Sequence, residues 1–166
     1  MLKWDIKLDE AFSALDEIAD RAAESLPFAA FQGVELLRDE VARQAPRSQK
    51  THYFVSKGSK NADGSRRRYE FNPGDLKKSV VAYRDDRESI KGERLVYRIT
   101  WRASEGAAAK YGGKGKYRAV PYGYMVHFGT RAGVRPNPFI WRAYDLMHER
   151  AEQKVADTLL EKTVGS

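Results

Sequence analysis

Four carboxylates in the middle of the chain are the side chains best suited to metal chemistry. Asp75 follows a Pro-Gly pair, and Asp85, Asp86 and Glu88 lie close together in a polar segment. Carboxylate oxygens of this kind bind Mg²⁺ in metal-dependent nucleases. Such a site needs ligands from several elements, whereas this spacing is typical of a capping residue followed by a solvated turn. The pattern therefore favours a structural role over a nuclease, and we expect no metal ligands.

Two further chemical signals are weak. The segment Gly112-Gly113-Lys114-Gly115-Lys116 lacks the G-x-x-x-x-G-K-[ST] spacing of a phosphate loop, and Tyr117 follows its second lysine. His52, His127 and His148 do not have the spacing of metal ligands. The sequence has no cysteine and no G-x-S-x-G motif, so it offers no typical nucleophile. We expect no cofactor and no enzymatic activity.

The remaining signal is electrostatic. Arg66-Arg67-Arg68 is the densest basic cluster, Lys57 and Lys60 precede it, and strand-like aromatic segments at 52–55 and 69–71 flank it. A solvated charged face is the commonest explanation of such a run. The alternative is an arm that contacts the phosphate backbone of DNA or a neighbouring subunit. Four more basic residues form a second, glycine-rich loop: Lys110, Lys114, Lys116 and Arg118.

Length and composition indicate one globular domain, 1–166. The 166 residues are 42% hydrophobic and 32% charged, enough to bury a core. No apolar run is long enough to span a bilayer, so we expect no membrane association. The N-terminal segment is too acidic for a secretory signal, which predicts synthesis in the cytoplasm.

The net charge of +7 is unevenly distributed. Residues 1–46 contain 5 basic and 10 acidic side chains, a net of −5. Residues 47–72 contain 7 basic and 2 acidic side chains, a net of +5, and residues 101–120 contain 5 and 1, a net of +4. Acidic and basic regions on one subunit suit head-to-tail neighbours, and basic loops also suit nucleic acid.

Hydrophobic periodicity predicts the main elements. Residues 9–26 and 28–45 have helical spacing, and Pro27 should break or kink the chain between them. In residues 47–73, strand-like segments flank a polar, basic tip, and this pattern predicts an insertion that forms an extended hairpin. Ser79–Tyr83 and Arg94–Trp101 predict an antiparallel pair of strands joined by a turn.

The segment Tyr122–Tyr144, YGYMVHFGTRAGVRPNPFIWRAY, predicts a strand, a glycine turn and the capped start of a helix. The strand should lie within Tyr117–Phe128. Asn137 is a good N-cap and Pro138 suits the first helical position. The C-terminal helix should run from about Pro138 to Lys162, with a buried stripe that includes Ile140, Tyr144, Met147, Ala151, Val155 and Leu159.

Three segments resemble, in order, the signature of siphophage neck and tail-completion proteins, often labelled minor tail components. The first is Ala45-Pro46, and the second is Gly74-Asp75-Leu76-Lys77-Lys78-Ser79-Val80. The third is Val126-His127-Phe128-Gly129-Thr130 followed by Pro136-Asn137-Pro138-Phe139-Ile140 and Ala143. The resemblance runs from about Gly33 to Ala143 and is interrupted by the 47–73 insertion, which the family does not have. His127 stands where that family often has glutamate, and we expect it to be a partly buried hydrogen-bonding residue at a subunit contact.

The resemblance implies a structural virion protein of the head–tail junction, in an α+β fold. N-terminal helices and a long C-terminal helix would pack on a small antiparallel sheet, with a projecting basic hairpin or loop. The chain would form a ring, expected to be hexameric, that touches head-closure, tail-terminator or tube proteins and surrounds double-stranded DNA without sequence specificity. A free basic nucleic-acid-binding domain is the alternative. The motif residues would be architectural rather than catalytic: Gly74, Leu76, Ser79, Phe128, Gly129, Thr130, Pro138 and Phe139.

Overall fold

The structure is a computed structural model that describes residues 8–90, 94–101, 121–131 and 133–164. It has the α+β fold expected from the sequence. The elements in chain order are α1 (Leu8–Gln44), β1 (His52–Lys60), β2 (Arg66–Phe71), α2 (Asp75–Ser79), β3 (Val80–Arg84), β4 (Tyr97–Trp101), α3 (Pro121–Phe128) and α4 (Phe139–Val164). The strands form two separate two-stranded sheets, β1 with β2 and β3 with β4.

Helix α1 is continuous across Pro27, so the break that was one of the two predicted effects of this proline does not occur. The Tyr97 hydroxyl donates to the Pro27 carbonyl oxygen at 2.8 Å, and the Tyr97 and Phe31 rings pack with centroids 6.0 Å apart. Tertiary contacts therefore support the helix around the proline, although proline cannot donate the usual backbone hydrogen bond. Further along α1, a Cβ on Gly33 would lie 2.5 Å from Val155 Cγ2, so α1 and α4 approach closely there.

The predicted hairpin within 47–73 is confirmed. Strands β1 and β2 pair antiparallel from His52 opposite Phe71 to Val55 opposite Arg68. The register then shifts before Lys60 pairs with Arg66, which marks a bulge or irregularity near the tip.

The second predicted pair of strands is also confirmed. Asp85 and Ser89 form a turn between β3 and β4, in which the Ser89 amide donates to the Asp85 carbonyl oxygen at 3.0 Å. The Asp85 amide donates to the carbonyl oxygen of Val96 at 2.8 Å, and Ile90 pairs antiparallel with Arg94.

The prediction of a strand within Tyr117–Phe128 is wrong for the described part, because Pro121–Phe128 is helix α3. Aromatic and β-branched content favours strands, but here the helix allows a close contact. A Cβ on Gly123 would lie 2.5 Å from ring atoms of Trp101, so the indole rests on the helix backbone. Residues 117–120 of the predicted strand lie outside the described residues.

The C-terminal helix begins at Phe139 rather than Pro138 and runs to Val164. The Arg142 amide donates to the Pro138 carbonyl oxygen at 3.1 Å, which places Pro138 at the cap. The carboxamide oxygen of Asn137, predicted to cap the helix, accepts from the Arg142 guanidinium at 2.5 Å. Of the predicted buried stripe, Ala151 is buried, whereas Tyr144 is 49% exposed and does not belong to it.

The chain forms two compact units. One takes its described residues from Met1–Leu37, Ala82–Arg98 and Met147–Ser166. The other takes them from Arg38–Val81 and Ile99–Leu146 and contains the main cluster of buried apolar side chains.

Candidate functional site

The turn at the end of the β1–β2 hairpin is held by a compact set of hydrogen bonds. The Ser65 amide and hydroxyl both donate to Asp63 Oδ1, at 2.9 and 2.6 Å. The Asn61 carboxamide donates to Ser65 Oγ at 2.9 Å, and the two residues also pair through their backbones at 2.8 Å. Gly64 adopts φ +82°, which glycine reaches without strain. The tip is therefore a defined turn rather than an open loop.

The five basic residues predicted for an arm all lie on this hairpin. Lys57 and Lys60 belong to β1, and Arg66, Arg67 and Arg68 open β2. The side chain of Arg66 is exposed. We call His52–Phe71 the basic hairpin. It contains five basic residues and two acidic ones, Asp63 and Glu70, a net of +3.

The acidic residue at the tip has a structural use. Hydrogen bonds from the Ser65 side chain and backbone lower the pKa of the Asp63 carboxyl. Asp63 therefore stays ionised and shapes the turn, and its single negative charge leaves the hairpin basic as a whole. Such a surface suits an anionic partner, whether phosphate backbone or acidic protein.

Lys110, Lys114, Lys116 and Arg118, together with the glycine-rich segment 112–116, lie outside the described residues.

The three motif segments meet in one buried cluster, although they are far apart in the sequence. The first supplies Ala45, the second Leu76 and Val80, and the third Val126, Phe139 and Ala143. The remaining members are Val41 and Trp101. We call this set the motif core. Apolar residues from all three segments therefore pack in the same core.

Phe139 is the centre of the motif core. It is fully buried, as expected, and its ring lies 6.0 Å from the Trp101 ring and 5.4 Å from the His127 ring. Trp101 ends β4, so Phe139 joins the start of α4 to the sheet. Leu76 and Ser79 are each 3% exposed, and Ser79 Oγ donates to the Leu76 carbonyl oxygen at 2.7 Å.

Two motif glycines have backbone conformations that favour glycine. Gly129 adopts φ +76°, and a Cβ there would lie 2.7 Å from the Val134 carbonyl oxygen and 2.9 Å from Pro136 Cδ. The Thr130 amide donates to that same Val134 oxygen at 3.0 Å, which closes the turn. Gly74, with φ +89°, precedes α2. The expected glycine turn after Phe128 is therefore present.

Two other motif residues are on the surface. Phe128 is 52% exposed, with its ring 4.7 Å from that of Tyr124, and Pro138 is also exposed. Together with Tyr124 at 60% and Trp141 at 59%, Phe128 leaves aromatic surface beside the buried His127. The sequence did not separate the motif aromatics that face the core from those that face outward.

His127 is more deeply buried than expected, at 3% exposure, and its Nδ1 atom has no hydrogen-bond partner. Its ring packs against Phe128, Phe139, Trp141 and Trp101. Burial lowers the pKa of its imidazole below the usual value of 6.5, which favours the neutral form. The predicted hydrogen-bonding role is thus not seen at Nδ1, and the residue acts as an aromatic packing group.

The carboxylates considered for metal binding have other roles. The Arg98 guanidinium bridges Asp85 and Glu88 at 2.5 Å each and holds the pKa of the Asp85 carboxyl low. Asp86 pairs with Arg84 at 3.0 Å, and Asp75 Oδ2 accepts from the Asn72 amide at 2.8 Å. Within the described residues, no group of three or more potential ligands could hold a metal ion. Asp85, Asp86 and Glu88 lie in the turn between β3 and β4 and form ion pairs there, which the sequence did not predict.

One surface was not anticipated. The apolar stripe in the first half of α1 is exposed, with Phe12 and Leu15 each at 60%. Helical spacing identifies such a stripe, but the spacing alone does not show whether anything in the same chain covers it.

No helix among residues 8–90, 94–101, 121–131 and 133–164 has the length and apolar character needed to cross a membrane. Comparison of the chain with protein-family models, with curated proteins and with solved structures gives no match in any of the three.

Proposed function

We propose that this protein is a structural component of the head–tail junction of a tailed phage or phage-like particle. In this role it forms a ring that completes the neck or tail, joins head to tail and surrounds the DNA passage. The chain has no catalytic task and needs no cofactor. Its place is in the assembled virion, after synthesis in the host cytoplasm.

The convergence of the three motif segments in the motif core is the observation that carries this proposal. If the three segments have the architectural role that the resemblance implies, Ala45, Leu76 and Phe139 should be buried together. Here they belong to one buried cluster. The Gly129 turn supports the same reading, because its φ of +76° and its close contacts with Val134 and Pro136 explain why the motif contains glycine.

The basic hairpin supplies the contact that a junction protein needs. Its exposed Arg66 and its net charge of +3 favour an anionic surface, such as DNA in the passage or the acidic face of an adjoining subunit. The Asp63-centred turn keeps the tip ordered, which reduces the entropy lost when an arm docks.

Particle assembly tests this function directly. In cells whose phage genome encodes the chain, deletion of its coding sequence should leave DNA-filled heads and separate tails, visible by electron microscopy. Complementation with the natural chain should restore joined particles. Joined, infectious particles without the protein would contradict the proposal.

The hairpin also keeps open a second function, that of a free basic nucleic-acid-binding domain. Isolated subunits would then bind duplex DNA with a strong salt dependence. The two functions separate cleanly, because a free binding domain should not co-purify with particles or tail tubes after nuclease treatment and a salt wash.

A further inference from the structure

The first half of α1 presents an exposed apolar face. Phe12 and Leu15 are each 60% exposed, Ile18 is 41% exposed and Leu26 is 40% exposed. At 3.6 residues per turn, these four side chains fall on one side of the helix. We call them the α1 face. Large apolar side chains grouped on one exposed face are typical of an interaction surface.

Acidic side chains border the α1 face. Asp16, Asp20 and Glu24 are exposed and recur every four residues, so they form a row along the helix. Residues 12–26 contain four acidic residues and one basic residue, Arg21, which pairs with Glu17 at 3.7 Å. The surface that covers the α1 face should therefore combine apolar contact with positive charge.

The basic hairpin has both properties. Tyr53 and Val55 are 52% and 47% exposed, and residues two apart on a strand point to the same face. Arg66 is exposed on the neighbouring strand, and the hairpin has a net charge of +3. Its sheet has only two strands, an arrangement that is marginally stable by itself and gains from packing against another element.

We propose that the α1 face binds the basic hairpin of a second copy of this chain. Each subunit then offers one helix face and one hairpin, so the contact is head-to-tail and can close into a ring. Pairing of two α1 faces would instead bring acidic rows of like charge together, which disfavours it. The inference rests on the proposed ring, and it adds the two surfaces through which neighbouring copies meet.

The natural absence of cysteine permits a direct test by pairwise cross-linking. Leu15→Cys and Val55→Cys chains, carrying different tags, are mixed and treated with a short bis-maleimide. The contact predicts a cross-linked product that contains both tags. The chain with both substitutions should give a ladder of oligomers, because each copy links to the next. Replacing Leu15→Cys by Arg87→Cys, on an exposed turn, provides the matched control and should give no ladder.

Charge reversal provides a second measurement. Lysine at Asp16, Asp20 and Glu24, or glutamate at Arg66–Arg68, should raise the protein concentration needed for association by at least about tenfold. Combining the two sets in one chain should restore association towards its natural level. Circular dichroism of each variant verifies that the fold is retained.

The outcomes also separate this contact from the proposed function. Particles that contain the chain but yield no cross-link between positions 15 and 55, in solution or in the particle, would overturn the contact and leave the junction function intact. A ladder in solution, with no trace of the chain in particles, would support the contact and contradict the function. Cross-linking of Leu15→Cys chains only to one another would identify a helix–helix pair and also overturn the contact.

Discussion

Replacement of Phe139 by alanine should be among the most destabilising single changes in this chain. Phe139 is 0% exposed and lies within 6.0 Å, between ring centroids, of both Trp101 and His127. Removing the ring loses its apolar burial and leaves a cavity, because the neighbouring elements relax only in part. Buried phenylalanine-to-alanine changes cost about 3–5 kcal/mol of unfolding free energy. For a chain of this size, that corresponds to a fall in Tm of roughly 6 to 20 °C.

Chemical denaturation monitored by circular dichroism and tryptophan fluorescence measures this loss, since one of the three tryptophans, Trp101, lies in the motif core. Leu146→Ala is the matched control, because Leu146 lies on the same helix but is 60% exposed. The control should change stability by less than about 0.5 kcal/mol. Equal losses for Phe139→Ala and Leu146→Ala would refute the assignment of Phe139 as the residue that anchors α4.

Three other changes test separate parts of the structure. Gly129→Ala should cost more than about 2 kcal/mol of unfolding free energy, and Gly74→Ala only about 1 kcal/mol. Both glycines have positive φ, but only at position 129 would a Cβ meet the Val134 carbonyl oxygen. Equal losses of stability for the two variants would contradict this reasoning. The lowered pKa of His127 means that the unfolded chain binds its proton first, so stability should fall as the pH drops below 6.5. His127→Gln should reduce that fall in pH-dependent denaturation, and an unchanged slope would exclude His127 as its source. Triple alanine replacement of Arg66–Arg68 should alter folding stability by less than about 0.5 kcal/mol but impair head-to-tail joining in an infectivity assay. Full infectivity, or failure to fold, would rule out the exposed arm.

The elements predicted correctly are those whose local pattern and packing agree. Strand-like aromatic segments on both sides of a polar tip predicted the basic hairpin. β-branched and aromatic residues alternating with charged ones predicted β3 and β4. Glycine after Phe128 predicted a turn, and Gly129 has the positive φ that makes it necessary. In each case the residues forming the element carried enough information to define it.

The elements predicted incorrectly depend on distant contacts. Pro27 was expected to break or kink a helix, yet α1 continues there, where Tyr97 contacts it from another element. Residues 121–128 have strand-like composition but form a helix. In that helix the Trp101 indole packs against the backbone of Gly123, where any Cβ would lie 2.5 Å from the ring. Pro121 at the first position of α3 was an available signal, because proline suits that position.

The sequence predicted the candidate site in part, as it did the secondary structure. Charge identified the basic hairpin. Of the motif residues expected to be architectural, Leu76 and Phe139 belong to the motif core, whereas Phe128 and Pro138 are exposed. The exposed α1 face was not predicted, because an apolar periodicity looks the same whether the covering surface belongs to the same chain or to another copy. The interaction surface therefore emerged only from the exposure of Phe12 and Leu15.

Electron microscopy of purified particles, with the chain located by a fused tag, most directly tests the central claim. The proposal predicts a ring of several copies between head and tail, coaxial with the tail tube and open to the DNA passage. A single asymmetric copy in the particle, or particles whose junction lacks the chain, would contradict it.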